Sequence, residues 1–155
     1  MSFAPFDSGV IVARLRTQVT SLRTVGLAAD YAAIKNLRDF APPSAYVVLA
    51  QERFEPAAIG MAPRGQQIPV TQRGRISIGV IVAGRNYREQ AGGQLAGELR
   101  ALLAATRASL NGWVPDVPGA QPLQLQRGDL LQYDDATALW CDVWQTQTII
   151  GAVAQ

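Results

Sequence analysis

Apolar residues recur at helical spacing in two long stretches of this chain and crowd together or alternate in several others, so two different rhythms are legible. Ile11, Leu15, Val19 and Leu22 fall three or four positions apart, which predicts a first helix. Asp7 or Ser8 can cap it by accepting an orphan backbone N–H. A second stripe, Leu95, Leu99, Leu102, Leu103 and Leu110, predicts a helix over about 94–110. Asn111-Gly112 stops it, glycine being the usual residue just past a helix end. Between the two, residues 28–38 read as a short helix with Ala29, Ala33 and Leu37 on one side, or as a strand and a helical turn. Val25-Gly26-Leu27 turns the chain before it, and Pro42-Pro43 ends it because proline cannot continue a helix.

The strand rhythm is clearest at 76–83 (ISIGVIVA), apolar almost throughout and therefore expected at the centre of its sheet. Residues 45–52 (AYVVLAQE) are β-branched and aromatic enough for a neighbouring strand. Residues 53–74 lie between the two, rich in Gly, Pro, Gln and Arg. So long a connection is usually functional or mobile, and residues 54–74 are expected to be mobile alone and ordered on binding. Val70-Thr71 could add an edge strand. Leu123-Gln-Leu125 alternates, Leu130–Tyr133 continues after a turn or bulge at Arg127-Gly128-Asp129, and Asp134-Asp135 makes the next turn. Residues 138–150 alternate Leu139, Cys141 and Val143 against Trp140, Asp142 and Trp144. The order of elements predicts an α+β fold, a single mixed or antiparallel β-sheet with helices packed on one face. Residues 1–155 are expected to form one domain, carrying the long arm at about 53–74.

Composition narrows the chemistry. Histidine is absent, which removes the commonest general base and the usual zinc ligand. Cys141 is the only cysteine and sits among apolar neighbours, so it reads as a small filler of the interior. The formal net charge of +2 is too small to argue for nucleic acid. The N-terminus has no signal-peptide pattern and no apolar run is long enough for a membrane span, so the chain is expected to be made and kept in a cytoplasm. No catalytic, cofactor or metal residues are assigned.

Charge is nonetheless distributed unevenly. Arg53, Arg64, Arg73 and Arg75 face only Glu55 across 53–75, whereas Asp116, Asp129, Asp134 and Asp135 face only Arg127 across 116–135. Each stretch can be an independently solvated loop. Equally, the arm of one subunit can approach the acidic hairpin of the next, since opposite charges set orientation between two different patches. Trp140 and Trp144 share a strand face, either in the core or at a subunit contact, where tryptophan is enriched. The candidate interface is therefore Arg53, Arg64, Arg73, Arg75, Asp129, Asp134, Asp135 and Trp144.

Six stretches in order resemble the tail terminator (tail completion) proteins of long-tailed bacteriophages. They are Val25–Ala33, Pro43–Val48 opening a strand, the arm leading to Ile78–Val82, the helix end Leu110-Asn-Gly-Trp-Val-Pro115, Leu123–Leu131, and the closing tryptophan strand. The resemblance is to the Mu-like family and, more distantly, to the minor tail protein U of lambda-like phages. It implies a structural virion protein that is not an enzyme. Such a subunit forms a ring, typically a hexamer, which caps the tail tube, stops its polymerisation and presents the head–tail joining surface. Implied partners are further copies of the chain, the tail tube protein and the head–neck connector, with no membrane and no specific nucleic acid. The source is a phage virion, or a prophage or other tail-derived particle assembled in a bacterial cytoplasm.

A second class stays open. Gly92-Gly93-Gln94-Leu95-Ala96-Gly97 opens a helix, where backbone N–H groups can cradle phosphate. With the arginine-rich arm it would suit a small-molecule- or nucleic-acid-binding accessory domain. It lacks both the dinucleotide spacing and a Walker lysine, and a flexible helix start accounts for it as well.

Overall fold

A computed structural model describes residues 3–85 and 97–151. In chain order they form helix α1 (Gly9–Gln18), strand β1 (Thr24–Leu27), helix α2 (Ala28–Ala33), a 3-10 turn (Leu37–Asp39), β2 (Ser44–Phe54), β3 (Gln72–Arg85), helix α3 (Gly97–Leu110), β4 (Gln124–Tyr133) and β5 (Thr137–Ile150). The strands make one five-stranded sheet in the order β1-β2-β3-β5-β4. Only β1–β2 is parallel; the other pairings are antiparallel. The fold is α+β with a mixed sheet, and β3, the uniformly apolar strand, occupies its middle.

Alternation along β3 explains the two sides of the sheet. Ile76, Ile78, Val80 and Val82 point to one face and are buried there against α1 and α3. The stripe on α3 is confirmed at Leu99, Leu102, Leu103 and Leu110, all buried. Leu95 lies outside the described residues. Gly84 allows a close helix–strand approach: a Cβ there would sit 3.0 Å from the Leu99 Cβ. Asp7 caps α1, its Oδ1 accepting from the Gly9 amide at 2.8 Å, while Ser8 makes no side-chain cap. Arg14 joins the two helices. Its Nε donates to the Ser109 carbonyl near the end of α3, and its guanidinium stands 5.1 Å from the centre of the Trp113 ring.

The opposite face is covered only in part. Tyr46, Ile81, Ala83 and Leu139 are capped there by Leu37 and Phe40, with Tyr31 and Ile34 packed against them. Thus the two long helices share one face as expected, while α2 and the 3-10 turn lie across the other. The contact side of α2 is Tyr31 rather than the expected Ala29 and Ala33, which are exposed. Rings give the larger apolar area, and Tyr31, Phe40 and Tyr46 form a mutual aromatic set with centroids 5.7–5.9 Å apart.

Four further expectations change. Residues 25–27 are strand, not turn, because β2 offers Val25 and Leu27 a parallel partner. The strands run further into the presumed arm, β2 to Phe54 and β3 from Gln72, which leaves 55–71 as the connection. Phe54 lies across Gly74, filling the place of the missing side chain, and this pairing extends the ladder. Val70-Thr71 adds no strand. Finally, of the turn or bulge expected at 127–129 the turn is absent: β4 is continuous, and bulge-like register shifts flank these residues, between Leu125 and Arg127 and between Leu130 and Gln132.

Candidate assembly surface

Three surfaces of this sheet carry the polar and apolar groups that packing leaves unused. The first is the open half of the face opposite α1 and α3. Arg53 pairs directly with Arg75 across β2 and β3, and Arg73 follows two residues along on the same face. All three are exposed, and none makes a side-chain hydrogen bond or ion pair among the described residues. Like charges directly opposite on a sheet are destabilising by a few tenths of a kcal/mol or more, up to ~1 kcal/mol. Gln145 and Gln147 on β5 continue this polar face, with Gln147 opposite Arg75. Of the arginines expected in the arm, only Arg64 lies there.

The second surface is β4. It is the last strand of the sheet and exposed along nearly its whole length. Leu125 (36%), Leu130 (45%), Leu131 (47%) and Tyr133 (65%) are apolar groups left in water. Register places Leu125 opposite Trp144 and Leu130 opposite Trp140, so both lie on the helix side, beyond the last layer the helices cover. Asp129 is on the other side, 3.4 Å from Arg127 in an exposed pair. At the end of β4, Asp134 Oδ1 accepts from the Ala136 and Thr137 amides at 2.7 Å each. These backbone donors hold its carboxyl below the usual carboxylate range. Asp134 and Asp135 are thus turn formers as well as exposed charges.

The third surface is the arm at 55–71, which has no regular structure. Ile59 (64% exposed) and Met61 (fully exposed) project from it. Its returning limb, at Ile68 and Val70, lines an open groove with Phe3 and Ile150 at the β5 end of the sheet.

Trp144 leaves the candidate surface. It is 1% exposed and belongs to the main core, because β5 places it opposite Ile78 beneath the helices. The chain also contains a buried charge that periodicity passed over. Asp142, 1% exposed, is held by Arg107 of α3 through two 2.7 Å bonds and by the Trp140 Nε1–H at 2.8 Å. The hydrogen bonds Arg107 donates to Asp142 raise its pKa above its ordinary value. Gly128 on β4 makes room, since a Cβ there would lie 2.7 Å from Asp142 Oδ1. The signal was present in the sequence, for Asp142 shares its alternation parity with both tryptophans. Cys141 points the other way and is half-buried, and burial pushes its thiol pKa up, away from a reactive thiolate.

Among the described residues no group of three or more His, Cys, Asp or Glu side chains could hold a metal ion, and no helix is long and apolar enough to cross a membrane. Of the glycine-rich stretch, only Gly97 is described, as the first residue of α3; residues 92–96 lie outside.

An edge strand exposing leucines, an irregular arm and arginines on an open face of the mixed sheet are the surfaces that packing within the chain leaves uncovered. In the comparison with known families, a family model described as phage tail terminator protein matches residues 1–155. The chain belongs to that family, and so is a structural component of a phage tail. No curated protein matches it.

Proposed function

We propose that the chain is the subunit of a closed ring, a hexamer, that seats on the end of the tail tube, stops its polymerisation and offers the head–neck connector a joining surface. On this reading the chain resembles the Mu-like terminators and, more distantly, the lambda-like minor tail protein U. Assembly takes place in the cytoplasm of the bacterial host. The observation that carries the reading is the separation of charge along the sheet. Arg75 is level with Gln147 on β5, whereas Asp134 and Asp135 precede the first residue of that strand, Thr137. At about 3.3 Å per residue the two patches lie roughly 30 Å apart. At that distance the two patches do not pair with each other within one subunit. Between subunits they meet head to tail, which is the arrangement a ring requires.

Such charges steer association and weaken with salt. Sedimentation of the purified chain should show a concentration-dependent species of about six subunits, seen as rings by electron microscopy and lost as salt is raised. A species that stays monomeric at every concentration and binds nucleotide would instead support the accessory-domain alternative.

A further inference from the structure

The two ends of the sheet are finished differently. At β1 the Val25 carbonyl accepts from Arg16 Nη2 at 2.8 Å and the Leu27 amide donates to Asp30 Oδ2 at 2.7 Å. Groups that an added strand would need are therefore already bonded within the chain. Beyond β1, the N-terminal residues flank β2, with the Phe6 amide donating to Glu52 Oε1 at 2.7 Å. At β4 no comparable capping is present. Apart from its ladder with β5, its backbone makes no hydrogen bond among the described residues. An open edge strand is a template for another strand, and natural proteins usually guard it with charges, bulges or a cover. Here the guard is incomplete. Two register shifts and the Arg127–Asp129 pair interrupt the edge, yet Arg127–Leu130 keeps an unbroken register beside exposed Leu130 and Leu131.

The same chain contains a segment suited to that edge. Within the arm, Ala57-Ala58-Ile59-Gly60-Met61-Ala62 lies between Pro56 and Pro63 and contains no proline itself. Proline cannot donate to a ladder, so these six residues are the stretch of the first limb able to pair throughout. Ala57, Ile59 and Met61 alternate, which in an extended strand puts them on one side. Neither Ile59 nor Met61 finds a buried place in its own subunit.

We infer that β4 is the acceptor edge for residues 57–62 of a neighbouring copy, whose arm adds a sixth strand and lays Ile59 and Met61 against the exposed leucines of β4. The charges agree with this direction only at the strand's end: the arm is rooted between Arg53, Arg73 and Arg75, while on β4 Asp129 is paired with Arg127 and the acidic surplus is at Asp134 and Asp135. Reach agrees as well: eight residues extended from the sheet span up to about 28 Å. The arm's own subunit is not the acceptor in this structure, since its returning limb lies beside Phe3 and Ile150. Main-chain bonds supply the attraction and the alternate side chains the register, as in other strand-addition complexes. This inference rests on the ring reading above.

The test uses the full chain carrying Cys141→Ser. One variant adds Met61→Cys, another Leu130→Cys, and the two are mixed, assembled and mildly oxidised. The expected result is a disulfide-linked dimer from the mixture, and a ladder of linked oligomers when both cysteines are on one chain. Ile59→Asp with Met61→Asp should raise the concentration needed for assembly by at least about tenfold, equivalent to ~1.4 kcal/mol. Rings that form normally without cross-linking in the mixture, and that tolerate the two aspartates, overturn the inference and leave the ring reading standing. Parent protein that never assembles overturns both. A double-cysteine chain that links only within itself also overturns the inference.

Discussion

Arg107 on α3 and Asp142 on β5 are joined by two 2.7 Å hydrogen bonds, with the Asp142 side chain 2% exposed and the Arg107 side chain 37% exposed. The pair ties the outer helix to the strand beneath it on the side where β4 and Trp140 begin to emerge into solvent. Removing one partner of a fully buried pair costs about 3–5 kcal/mol. Water reaches over a third of the Arg107 side chain, so Arg107→Met should cost less, about 1–3 kcal/mol. Denaturant unfolding would measure it. A near-neutral result would show that solvent replaces the arginine at no loss.

Gly128 should tolerate no side chain. A Cβ would lie 2.7 Å from Asp142 Oδ1 and 2.8 Å from Trp140 Nε1, two atoms that are themselves bonded to each other. Gly128→Val is expected to destabilise by roughly 1–3 kcal/mol through overpacking, visible as a lowered Tm.

Two core truncations separate folding from assembly. Leu99→Ala and Trp144→Ala each remove a side chain with at most 1% exposure. The expected losses are about 2–5 and 3–5 kcal/mol. Whatever fraction of the Trp144 variant folds should assemble like the parent, because the indole presents no surface. Sedimentation below the unfolding midpoint checks this.

The Cys141 thiol gives a pH dependence with a definite sign. Burial, then the Asp142 and Asp129 carboxylates, raise its pKa in the folded chain, with Arg127 opposing. A raised folded value contributes stability that is complete below the unfolded pKa of about 8.5 and is lost as pH rises through the folded value. Stability should therefore decline above about pH 8.5, and less so in Cys141→Ala. Alkylation of the thiol should also be slow in the native protein and fast in denaturant.

The charge arrangement predicts a compensating pair of changes. Reversing Arg73 and Arg75 to Glu should weaken assembly, and reversing Asp134 and Asp135 to Arg in the same chain should partly restore it. Sedimentation at low salt reads both. Asp134→Arg also removes the acceptor for two turn amides, so unfolding must be followed in parallel.

Much of the fold could be read from spacing alone. The α3 stripe, the central place of β3 and the parity of β5 all follow from burial on one side of a periodic element, a local property of sequence. What escaped was set by partners distant in the chain. Val25–Leu27 is too short to signal a strand, and β2 makes it one. Arg53, Arg73 and Arg75 read as loop residues because Gly74 and neighbouring polar residues mask a ladder that Phe54 completes. Among the candidate interface residues, the arginines and aspartates are exposed, while Trp144 is not. An aromatic at a buried parity fits core and interface equally well until the neighbouring element is known. Asp142 shows the converse, a charge at a core parity whose partner sits 35 residues earlier on a helix.

The bonds from Arg16 and Asp30 to the backbone of β1 bear on solubility in a crowded cell. Fibrillar aggregation stacks sheets edge upon edge, and each added molecule must accept a strand on one side and present a fresh template on the other. A subunit with β1 closed by its own side chains can receive a strand at β4 without becoming the next rung. With one open margin rather than two, a stack that needs both edges of the sheet lacks its second template.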